Sequence, residues 1–260
     1  HGNPVPLADC HPDPYDGRPV VPDPRVQRIV DAAIARAGAR RAAQLGVTLS
    51  GIVAKAYKLE SAEGDLFTDL MLAAGSRYEH ASNRGIAHFA EHMFFKGTER
   101  RPSSRDLTTL VDGIGGEFNA FTSKEYTGYY IRCAAAQRDQ AFDVLVDMLR
   151  NSKFDSGELQ REKGVIIEEM NMYVDTPRDY VGSVYEELLF GSNPLGWETL
   201  GTKETVTAAT RDTFLDYLRA CYTPARMVIG VAGAVGDDLA ANLEALVGDL
   251  SGNGAGGPAA

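Results

Sequence analysis

The sequence predicts an α+β fold, and three observations carry that prediction. Strand-like and helix-like runs are partly segregated along the chain, the α+β pattern rather than a strict alternation of strand and helix. Gly113, Gly115 and Gly116 mark a turn that leads into alternating residues from Phe118 to Ser123, the first arm of a hairpin. The 260 residues are 44% hydrophobic and 24% charged, enough for one sizeable core.

Residues 1–24 hold seven of the twelve prolines, mixed with Asp and Gly, and read as an extended arm. Cys10 and His11 adjoin within it, a weak metal signal. Asp23 and Pro24 then cap an amphipathic basic helix over 25–46. Its apolar stripe is Val26, Ile29, Val30, Ala33, Ile34 and Ala37, with Arg25, Arg28, Arg36, Arg40 and Arg41 around it. A membrane-surface or targeting helix is one reading. The favoured one is a helix docked on the domain with its basic face in water.

The main domain covers 47–250, with strands expected at 52–57 and 66–74. Next comes a helix through Ile86, Phe89, Ala90, Met93 and Phe94, stopped by Gly97. A helix over 104–114 precedes the hairpin, whose second arm is 127–134. Helices follow at 137–151, 155–173, 177–189 and 210–222, then a strand at 226–232 and a helix at 237–250. Asp155 and Glu158 have the spacing of a capping box. Residues 251–260 read as a flexible Gly-rich tail or linker.

The chemistry concentrates in His88-Phe89-Ala90-Glu91-His92. Histidines at i and i+4 stand one above the other on a helix, so both imidazoles can grip one metal ion. Glu91 sits beside that position, able to take a proton from water. The order His-x-x-Glu-His is the inverted form of the commoner zinc-protease motif. The residues alone leave a second reading open, two satisfied core histidines on an apolar helix.

A catalytic zinc site usually takes three protein ligands. His1, His11 and His80 are poorly placed to supply the third. A better source is the helix carrying Glu162, Glu168 and Glu169. Glu162 and Glu169 are seven residues apart and so share a face, with Val165 and Ile166 expected on the same side. The alternative is a charged surface helix, since Glu168 adjoins Glu169 and Lys163 offers local pairing.

The segment from Gly85 to Thr98 resembles the active-site helix of the pitrilysin family, which includes insulin-degrading enzyme and the mitochondrial processing peptidase. Further segments carry the likeness: Asn119-Ala-Phe-Thr-Ser-Lys-Glu-Tyr-Thr-Gly-Tyr129, and more weakly Gly75–Glu79, Asn193–Gly196, Gly201-Thr202 and Tyr222–Gly230. The resemblance implies a largely antiparallel mixed sheet with helices packed on one face, one domain of a clamshell. It places the third ligand of one zinc ion per chain at Glu169, 77 residues beyond His92, with Glu162 as its supporting glutamate. His88, His92 and Glu169 would hold the zinc, which would bring the pKa of a coordinated water to about 7. Glu91 would accept the water's proton and pass it to the leaving amine. Asn119, Ala120, Phe121 and Thr122 would bind an extended peptide through an exposed sheet edge, with Asn119 pointing toward the scissile bond. An ordinary core hairpin is the alternative for this segment, and for Tyr126, Tyr129 and Tyr130 it is the favoured one.

The family builds a closed chamber from related domains, of which this chain supplies one. The implied function is a zinc endopeptidase acting on unfolded peptides or precursor leaders, with a second protein or chain completing the chamber. A non-catalytic scaffold subunit is the rival. A net charge of −10 argues against a nucleic-acid partner. No apolar run reaches the length of a membrane span, and no signal peptide is visible. Cys10, Cys133 and Cys221 are too few and too scattered for a disulfide framework. They read as reduced, which fits a cytoplasmic location, with Cys133 in the core.

Overall fold

The computed structural model describes residues 42–49, 52–59, 65–234, 236 and 238–248. Strands β1 (Ala42–Leu49), β2 (Ile52–Leu59), β3 (Asp65–Leu72), β4 (Glu117–Thr122), β5 (Thr127–Ala134) and β6 (Met227–Gly233) form one sheet in the order β1-β2-β6-β3-β5-β4. Every neighbouring pair is antiparallel except β2 with β6. The sheet is thus mixed and largely antiparallel, and β4 forms one of its two edges.

Strand alternation decides which residues face the helices, although β6 is buried along its whole length. Leu66, Leu70 and Leu72 of β3 join Tyr129, Ile131 and Cys133 of β5 and Met227, Ile229 and Val231 of β6 in one buried cluster with the helices. Phe118 and Ala120 of β4 pack against the same cluster. The helices that build this layer are α1 (Ile86–Phe94), α2 (Ser104–Gly113), α3 (Arg138–Asn151), α4 (Ser156–Asp175), α6 (Lys203–Ala208), α7 (Arg211–Cys221) and α8 (Leu239–Val247), while α5 (Pro177–Phe190) buries no residue.

Two expectations need correcting. The helix expected over 25–46 does not extend to its stated end, because β1 begins at Ala42 and pairs residue by residue with β2. Pairing of a complete ladder overrides the helical look of a short Ala-rich stretch. The remainder of that helix, the arm at 1–24 and the tail at 251–260 lie outside the described residues. Asp155 does cap α4, accepting from the N–H of Gly157 and Glu158, but the Glu158 side chain pairs with Arg161 instead of closing a capping box. The short α6 was not expected. Six residues hold too little periodicity to read, although Thr202 and Thr205 form a reciprocal cap at its start.

An aromatic cluster pins α1 to this framework. The Phe94 ring lies 5.0 Å from Tyr129, 5.2 Å from Phe154 and 5.3 Å from Tyr222. The Tyr129 and Tyr222 hydroxyls hydrogen-bond at 2.8 Å, so the two phenols satisfy each other inside the core. After α1 the chain turns at Gly97, whose φ of 113° favours glycine and whose Cβ would strike the Pro102 carbonyl. Thr98 then donates to Asp147 of α3 at 2.7 Å, and Asp147 also holds Arg101. Phe94→Ala should cost about 3–5 kcal/mol of stability, measured as a lower urea midpoint at an unchanged slope.

Candidate active site

Helix α1 presents two different faces. Ile86, Ala87, Phe89, Ala90, Met93 and Phe94 are buried, which leaves His88, Glu91 and His92 on the side turned to α4 and β4. The helix starts at Gly85, whose φ of 86° is left-handed and whose Cβ would meet the Leu200 carbonyl at 2.4 Å. Only glycine fits that entry.

The structure brings His88, His92 and Glu169 together. His88 Nε2 and His92 Nε2 are 3.2 Å apart, and each lies 3.6 Å from a Glu169 carboxylate oxygen. A tetrahedral ion with bonds of about 2.1 Å sets its ligands roughly 3.4 Å apart, so these three donors fit zinc. Among the described residues this is the one group of at least three such side chains that could hold a metal ion. Burial, with His92 adding to it, pushes the His88 imidazole down to about 3. It is therefore neutral, as a metal ligand must be.

Glu162 stands behind His92 and accepts from its Nδ1 at 2.8 Å, with the ring tautomer set by that contact. Its other oxygen pairs with Lys96 at 2.6 Å. Burial pushes the Glu162 carboxyl up, but the hydrogen bonds and charges of His92 and Lys96 outweigh it and leave it below its ordinary value. Burial pushes Glu169 up as well. Ile166, which is fully buried, lies between Glu162 and Glu169 on the inner face of α4, as expected. Val165 does not, being 51% exposed. One helical step of about 100° carries it from the stripe to solvent.

Glu91 projects beside the three donors. Burial raises its carboxyl above the ordinary value, and Thr122 of β4 donates a hydrogen bond to it that opposes the rise. Thr122 is thus in contact with the site, and Ala120 shares its side of the strand. Asn119 and Phe121 alternate to the other face. Phe121 lies across Gly128, filling the space a side chain there would need, and Asn119 turns back to accept from the Ala120 N–H at 2.9 Å. The four residues expected to bind peptide therefore share an edge strand.

Two residues in contact with this machinery escaped the sequence reading. Lys96 follows the motif in a segment noted only for its likeness. Glu79 ends the segment Gly75–Glu79, and its buried carboxyl accepts from the N–H of Gly85 at 2.8 Å and of Ala87 at 2.9 Å. The only local signal was an acid shortly before the helix start.

Residues 67–203 match the family described as Insulinase (Peptidase family M16). The chain belongs to peptidase family M16. Among its relatives, the uncharacterized zinc protease YmxG of Bacillus subtilis is 43% identical over 183 residues, which are 70% of this chain and 44% of that protein. A probable mitochondrial-processing peptidase subunit beta of Arabidopsis thaliana is also 43% identical, over 62% of this chain and 30% of that protein. The M16 chain thus spans less than half the length of either relative. Among solved structures, a protease from Helicobacter pylori superposes with a TM-score of 0.76 at 23% identity, covering 81% of this chain and 51% of that one, a likeness of fold.

Glu162 yields two measurable expectations. Glu162→Ala should weaken zinc binding about 10- to 100-fold, measured by competition with a chelator. Because its folded pKa is depressed, Glu162 contributes stability above its ordinary value of 4.5, lost as pH falls through the lower folded value. Metal-free parent should therefore lose more stability than Glu162→Gln on acidification below about pH 5, seen in urea midpoints.

Proposed function

We propose that this M16 chain is the catalytic part of a zinc-dependent endopeptidase that hydrolyses extended or unfolded peptides, precursor leaders among them. The carrying observation is three donors at tetrahedral spacing with a half-buried carboxylate beside them. Zinc, when bound, supplies a Lewis acid that makes water a nucleophile at neutral pH. Glu91 takes the proton of the attacking water and delivers it to the leaving nitrogen. Its raised affinity for protons suits both roles. Thr122 holds that carboxylate toward the reaction, and Glu162 with Lys96 keeps His92 oriented. The edge of β4 receives the peptide main chain as an added strand, for which the Asn119 side chain gives up the Ala120 N–H. The retention of His88, Glu91, His92 and Glu169 together weighs against a scaffold role.

The working enzyme needs a second half, supplied by further chain or by another protein. The large exposed hydrophobic residues of the described chain all lie on α4 and α5, between Val165 and Phe190, with Leu188 83% exposed. A patch of that kind marks an interaction surface. The relatives named above are also more than twice as long as the segment matched in them. No helix among the described residues is long and apolar enough to cross a membrane.

The test is zinc content and cleavage of an unfolded peptide by parent and Glu91→Gln, in whichever assembly is active. Glu91→Gln should keep its zinc and lose about 10²- to 10⁴-fold in kcat. Full activity in that variant would refute Glu91 as the base. The single chain should cleave far more slowly than the completed assembly, and equal rates would remove the partner.

A further inference from the structure

The two histidines of α1 are held in different ways. A metal-binding histidine usually has its second ring nitrogen fixed by an acceptor. His92 has one, in Glu162. His88 does not, since its buried Nδ1 meets no hydrogen-bond partner among the described residues. Its position must come from the backbone that carries it, the first turn of α1.

That turn is clamped from outside the helix. Gly85 at the N-cap has no side chain to close the exposed N–H groups. The carboxyl of Glu79 does so instead, taking the amides of Gly85 and Ala87, the latter directly before His88. Glu79 is itself fixed. Ser76 N–H and Arg77 N–H donate to the carbonyls of Ser123 and Lys124 in the β4–β5 turn, at 3.2 and 2.8 Å. Arg77 pairs with Glu125 in the same turn, and a Cβ at Gly75 would lie 2.5 Å from Lys124 backbone atoms. The clamp therefore runs from the hairpin bearing the candidate peptide edge to the amide beside His88.

We propose that Glu79 is the positioning residue for His88, doing through the backbone what Glu162 does for His92 through a ring nitrogen. The inference rests on the zinc reading of the site. Glu79 touches neither the metal position nor substrate. It sets where the His88 imidazole stands relative to His92 and Glu169. A group that only stabilised the fold would lower the unfolding midpoint and leave metal affinity in the folded protein unchanged.

The experiment measures zinc affinity of the full chain by chelator competition, well below the unfolding temperature. It compares parent, Glu79→Ala, Glu79→Gln and Val144→Ala, a core truncation in α3 away from the site. Glu79→Ala should bind zinc about tenfold or more weakly. Glu79→Gln, which keeps one acceptor oxygen, should lose less, and Val144→Ala should bind as the parent does. The visible bands of the cobalt-substituted protein, which report ligand geometry, should shift in Glu79→Gln but not in Val144→Ala. If Glu79→Ala does not fold, Glu79→Gln decides, and affinity and bands equal to the parent overturn the proposal. An equal loss in Val144→Ala overturns it too. A parent that binds no zinc removes the reading of the site and this inference with it. A zinc-binding parent matched by both Glu79 variants removes the inference alone.

Discussion

Everything at this site depends on one crossing, that of α4 over α1. Helix α1 sets two imidazoles on one side by its own geometry, but the third donor must come from a helix far along the chain. Leu159, Ile166 and Met170 are buried along α4 and seat it in the core. Glu162, nearly as buried, is held against His92 and Lys96. With α4 so fixed, Glu169 arrives 3.6 Å from both imidazoles. A shift of an ångström between the helices would leave three side chains that could no longer share an ion.

The electrostatics of the cluster have the same origin. Burial drives His88 toward its neutral form and raises the carboxyls of Glu91 and Glu169. Glu162 and Glu169 repel each other as well. A half-buried group of acids beside the neutral His88 imidazole is unfavourable alone, and a divalent cation reverses that balance. Lys96 compensates only Glu162, at the back of the cluster. The charge that would balance the front is the one a metal brings.

Much of this was legible in the sequence, for physical reasons that differ by element. Helix α1 and strand β5 bury one regular face, so their period appears in the residue order. The stripe on α4 was half read. Ile166 joins the two glutamates while Val165 faces water, because a helical face is narrower than a run of adjacent apolar residues suggests. Residues 42–46 read as the end of a helix, yet their strand state depends on β2, a partner that no local pattern records. Helix α5 was read from the sequence only as a helix, with no face assigned to its apolar residues. Their exposure could be seen only once every neighbour was in place.

The sequence by itself determined the local chemistry: two imidazoles and a carboxylate on one helical face, a glycine stop after them, and an alternating strand rich in small and polar residues. These follow from 3.6-residue and two-residue periods, which are written in neighbouring positions. The approach of Glu169, the Thr122 contact to Glu91, the Lys96 partner of Glu162 and the Glu79 clamp were decided by tertiary structure alone. Each joins groups separated in the chain, and their distances are set by how helices pack on a sheet, which residue order near any one of them does not encode.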